Sequence, residues 1–119
     1  MKKIQIIAAL ILLISATSVI SKTSGLFPTR VKVTVLEVSG EIVNGATVQF
    51  YKTKDDYLTN QNLQFEGVTN KKGWIVIKKI EAIPYFIEVT KGEKKNYGKG
   101  VQIEKIYEGK KNKINIIIE

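Results

Sequence analysis

The sequence predicts an all-β sandwich on three observations. Short runs alternate apolar and polar residues with a period of two, from "VKVTVLEV" (31–38) to "KINIIIE" (113–119), as half-buried strands do. Turn residues interrupt these runs at intervals of about ten residues, the spacing of a sandwich rather than of strands alternating with helices. Val, Ile, Thr and aromatic residues fill the runs, and no amphipathic helical pattern follows residue 22. Together they predict a seven-stranded Greek-key sandwich over 31–119, behind an N-terminal leader and a short linker.

The leader is read first because it lies outside the fold. Lys2 and Lys3 precede the apolar run "IQIIAALILLI" (4–14), and "SATSVISKTS" follows it. A basic start, a short apolar run and small residues beyond it describe a secretory signal helix, and the run is shorter than the roughly 20 residues a membrane span needs. Val19 and Ser21 place cleavage after Ser21; Ala16 is the other site, and an uncleaved anchor over 4–20 is the alternative. Residues 1–21 are thus a signal peptide and 22–30, with Gly25 and Pro28, a linker. The expected location is the periplasm or the exterior of a bacterial cell.

The strands follow in order. In 31–38, Val31, Val33 and Val35 share one face and Lys32 and Thr34 the other; "SGEIVNG" (39–45) is a turn with an Asn-Gly pair; "ATVQFYK" (46–52) directs Val48 and Phe50 inward. The polar "TKDDYLTNQN" (53–62) is the longest loop, and "LQFEGVT" (63–69) is the third strand. "TNKKG" (69–73) reads as a hairpin turn with Gly73 at φ > 0, returning the chain as "WIVIKKI" (74–80). "PYFIEVT" (84–90) starts at a proline, which a strand accepts at its first residue. A basic turn (91–100), "VQIEKIY" (101–107), the turn "EGKKN" (108–112) and "KINIIIE" (113–119) complete the chain. The last run is expected to be paired within a sheet, with Lys110, Lys111, Lys113 and Glu119 guarding it against aggregation.

Composition narrows the function. The 119 residues carry a formal charge of +8, and +6 once Lys2 and Lys3 leave with the leader. The lysines are interspersed with acids and Arg30 is the one arginine, a pattern of a solvated surface rather than a nucleic-acid-binding face. Cysteine is absent, which excludes disulfides and an N-terminal lipidated cysteine, so stability must come from burial. Histidine is absent too, removing the usual acid–base catalyst near neutral pH along with the thiol nucleophile. The expectation is a protein that is not an enzyme and has no cofactor and no metal.

The order of motifs resembles the carboxypeptidase regulatory-like domain, a transthyretin-like sandwich. Gly45-Ala46 stands where that family has a small pair before its second strand. Thr69, Asn70 and Gly73 match its Thr-Asp-x-x-Gly turn, with Asn for Asp, and Tyr85, Ile87 and Val89 match its Tyr-x-Ile-x-Val strand. Ile83-Pro84 departs from the usual Pro-Gly lead-in. The resemblance covers roughly residues 31–118 and implies a non-catalytic spacing or interaction module of an exported protein. A related immunoglobulin-like topology carries the same consequences.

Three sets of residues are candidates for a site. Asp55 and Asp56, with Asn60 and Asn62, lack the alternating ligand spacing and tight glycine of a calcium loop. Lys32, Asn115 and Glu88 are the residue types of the Lys–Asn isopeptide bond found in related adhesin domains. The two-residue period, however, turns all three outward. The third set is Tyr51, Trp74 and Phe86, which the same period directs to one outer sheet face as a patch for a partner protein or, alternatively, a glycan. The expected partner is another exported or envelope protein.

Overall fold

The computed structural model describes residues 27–96 and 101–119. The leader and most of the 22–30 linker lie outside the described residues. The elements are β1 (Arg30–Glu37), β2 (Thr47–Tyr51), α1 (Lys54–Thr59), β3 (Phe65–Val68), β4 (Trp74–Lys78), β5 (Tyr85–Lys91), β6 (Lys94–Lys95), β7 (Val101–Ile103) and β8 (Lys111–Ile118). The seven expected strands are all present, and the two-residue β6 and the helix α1 are additional. Two sheets form: β4-β1-β8, and β3-β2-β5-β6 with β7 also on β5. β1 pairs antiparallel with β4 and parallel with β8.

Alternation decides which side chains fill the space between the sheets. Val31, Val33 and Val35 from β1 and Ile116 and Ile118 from β8 are buried against Val48, Phe50, Tyr85, Ile87 and Val89 of the other sheet. Phe50, Phe65 and Tyr85 form an aromatic triangle with ring centroids 5.5 to 6.3 Å apart and tilted or edge-on planes, the geometry that ring quadrupoles favour.

The turn at 69–73 departs from the expectation. It does not close a hairpin, because β3 belongs to the sheet of β2 and β4 to the sheet of β1. Two anchors hold it as a corner between layers. The Thr69 hydroxyl accepts from Ala46 N (2.9 Å) and donates to Val43 O (2.7 Å), while Thr69 N donates to Ala46 O. Four residues on, Val35 N donates to Gly73 O (2.8 Å), which fastens the start of β4 to β1. Between the anchors, Asn70 Oδ1 accepts from the amides of Lys72 and Trp74, and Gly73 N donates to Asn70 O.

Gly73 has φ 84°, and a Cβ there would lie 2.7 Å from Ile42 Cβ. Gly73→Ala is therefore expected to cost about 2–3 kcal/mol, from left-handed strain plus overpacking. The shift of the urea midpoint at constant slope checks this.

The chain's last strand is paired, as expected, although on one side. β8 pairs with β1 along its length but ends the order of its sheet. Among the described residues its far side is met at the C-terminus, where Glu119 and Lys95 exchange backbone hydrogen bonds of 3.1 and 3.2 Å. Asn96 fills a gap in the other sheet. Its side chain donates to Ile87 O and accepts from Val89 N, groups of β5 lying between those that β7 and β6 engage.

Candidate functional site

The three predicted aromatics do not share a surface. Tyr51 and Phe86 are cross-strand partners on β2 and β5, on the outer face of the five-stranded sheet. Trp74 opens β4 and lies on the outer face of the other sheet, opposite Thr34. The two faces are separated by the whole sandwich, so no three-ring platform exists for stacking a glycan.

Tyr51 and Phe86 are also covered. Residues 53–62 carry the helix α1 rather than an open loop, and Tyr57 from that helix packs edge-on to Tyr51 and stacks on Phe86, both at 6.1 Å. Tyr51 is left 1% exposed. The Asn60 side chain locks the helix end to the sheet, donating to the Tyr51 hydroxyl (3.1 Å) and to Glu88 Oε1 (2.9 Å). Partial burial, and then the Glu88 carboxylate, push the Tyr57 hydroxyl above its usual range.

A local signal for this helix exists in the sequence. Thr53 caps it by accepting from Asp56 N, and Asp55 and Asp56 occupy its first turn, a Thr-x-x-acid pattern. Asp56 Oδ1 accepts from Asn62 Nδ2. Asp55 and Asp56, which lack the spacing of a calcium loop, thus lie at the start of a helix, and the Asp56 carboxylate also binds a side chain that follows its end. Among the described residues, no group of three or more acidic, His or Cys side chains is placed to hold a metal.

Lys32, Glu88 and Asn115 all face away from the interior, as parity requires. Lys32 is half-buried with Nζ 4.7 Å above the Trp74 ring, Glu88 holds Asn60, and Asn115 is exposed. The space between the sheets that an internal Lys–Asn bond would cross is filled by Val31, Val33, Ile116 and Ile87.

What remains as a surface is the outer face of β4-β1-β8. Trp74 and Val76 from β4 and Leu36 from β1 are half-buried there, while Ile117 from β8 is 54% exposed. Lys32, Lys78 and Lys113 lie among them on the same face. Such a face can hold a partner through apolar contact at its centre and charge at its rim.

Comparison of this architecture with solved structures gives its class. A minor pilin of the Gram-positive pathogen Streptococcus agalactiae superposes with a TM-score of 0.57 at 12% identity, over 77% of this chain and 44% of the pilin. The shaft pilin of Lactobacillus rhamnosus GG gives 0.56 at 12% identity, over 76% and 47%. A group B streptococcus pilus 2b backbone protein gives 0.51 at 10%, over 75% and 40%. The chain has the fold of a pilin β-sandwich domain. It spans under half the length of each of these pilins. No family model matches the sequence. No curated protein matches it either.

Proposed function

We propose that this chain is a non-enzymatic, exported β-sandwich that serves as a structural or protein-interaction module at the bacterial envelope. Its pilin-type fold supports this reading, and so do the leader-like residues 1–21 and a sequence without His or Cys. The observation that carries it is the outer face of β4-β1-β8, where Trp74, Val76 and Ile117 stand on an open sheet surface among lysines. In this reading Trp74 is the contact residue for another exported protein, while Tyr51 and Phe86 seat α1. Kinship with carboxypeptidase regulatory-like domains and cleavage after Ser21 belong to the same proposal; the ordered motifs at 45–46, 69–73 and 85–89 support the first.

The test is site-specific photo-cross-linking from position 76 on intact cells. A discrete protein adduct is expected, and Trp74→Ala should abolish it at the cost of about 2 kcal/mol of stability, from the half-buried ring surface and the Lys32 contact that it loses, with the chain still folded by circular dichroism. An adduct that survives Trp74→Ala, or no protein adduct at all, would overturn this assignment.

A further inference from the structure

The geometry points to the open edge of β8 as a docking site for an extended, acidic strand of a partner protein. The inference deepens the proposed interaction role and rests on that reading, but it concerns the backbone edge of the sheet rather than the Trp74 face, with Lys113 and Ile117 on the border of the two.

The first observation is a backbone one. Arg30 N donates to Lys110 O, which fixes the phase of the parallel ladder: Asn112, Ile114, Ile116 and Ile118 turn their amides and carbonyls toward β1. The alternate residues Lys113, Asn115 and Ile117 therefore turn theirs away from it. Glu119 continues that phase and is met by Lys95. Among the described residues nothing pairs with the other three, since β8 ends its sheet. They form a template for one more strand.

The second observation is the cavity beside that template. Glu119 and Lys95 join the two sheets at the C-terminal end of β8, and beside its N-terminal half Ile103 of β7 and Ile114 of β8 line one gap. The gap is a cavity of about 440 Å³ with Val31, Ile103 and Ile114 among its lining residues. Those three side chains point inward from β1, β7 and β8, so a strand laid along β8 would place every second side chain over apolar surface. The cavity wall is shaped by Asn112, whose side chain bonds Arg30 O, Tyr107 O, Lys110 O and Tyr107 N.

The third observation is charge. Lys105, Lys110, Lys111 and Lys113 line the opening, and among the described residues no acidic side chain does. A second copy of this chain presenting the same edge would bring its lysines against these, which disfavours self-pairing. A strand alternating acidic and apolar residues satisfies the backbone template, the apolar floor and the lysine rim at once.

The probe is an end-capped heptapeptide alternating glutamate and valine, titrated into the full chain and followed by amide NMR and hydrogen exchange. Binding is expected to slow exchange of the Lys113, Asn115 and Ile117 amides. It should weaken at least about tenfold when lysine replaces glutamate in the peptide, a modest electrostatic difference. An N-methylated version, unable to donate, should not bind.

The double change Lys111→Glu with Lys113→Glu should invert the charge preference. Asn115→Pro removes an outward amide that β1 does not use, so it should lose the peptide while the fold persists by circular dichroism. Shifts confined to Lys105 and Tyr107 without slowed exchange at the three amides, or equal binding of free glutarate, would overturn the strand assignment in favour of a small-anion site. Binding indifferent to charge reversal would overturn it as well. If the peptide fails while the position-76 adduct persists, the edge inference falls and the proposed interaction role stands.

Discussion

Phe50→Ala is expected to lower stability by about 4 kcal/mol, the largest loss for any single residue considered. Phe50 is 0% exposed, lies on the inward face of β2, and touches Phe65 and Tyr85 across the aromatic triangle. Truncation removes the transfer free energy of a whole ring and leaves a cavity that Phe65 and Tyr85 cannot fill, because each is held in place by its own strand. A chain without disulfides has no covalent brace to offset the loss. For a domain of this size the midpoint of thermal unfolding should fall on the order of 20 °C. Scanning calorimetry checks it, and a fall under 5 °C, well below even about 2 kcal/mol for such a domain, would show that the triangle is not the packing centre.

Thr69→Val is the second large effect, expected at about 3 kcal/mol although the two side chains have nearly the same shape. Thr69 is 3% exposed, and its hydroxyl serves Ala46 N and Val43 O together. Valine would leave one donor and one acceptor buried and unpaired, which is costlier than the loss of an average hydrogen bond. The site of damage is specific: the Ala46 amide should exchange much faster. Thr69→Ser, which restores the hydroxyl, should recover most of the stability. Equal losses for Val and Ser would mean that the methyl group, not the hydroxyl, holds the corner.

These two residues illustrate different degrees of legibility. Phe50 is readable as core because inward and outward positions alternate along a strand whatever the strand's neighbours are. The same rule places Val33, Ile77 and Ile87 inside and Lys32, Glu88 and Asn115 outside. Thr69 reads only as a turn residue. Its two partners lie 23 and 26 positions earlier, and nothing local announces them. The helix α1 lies between these cases. Its capping pattern is in the sequence, but its six residues are too few to show a helical period and none of them is buried. It is held by Tyr57 and Asn60 against a sheet that must already be formed.

By itself, the sequence determined the β-sandwich class, the inward faces of β1, β2, β4, β5 and β8, and the exclusion of histidine- and thiol-dependent chemistry. Tertiary structure alone decided which sheet each strand joins: that 69–73 is a corner and not a hairpin, that Trp74 stands a full sandwich away from Tyr51 and Phe86, and that β8 ends its sheet among the described residues. The physical reason is that side-chain alternation is a property of one strand, whereas pairing is a choice among distant strands, made by backbone hydrogen bonds that every residue type except proline can offer equally.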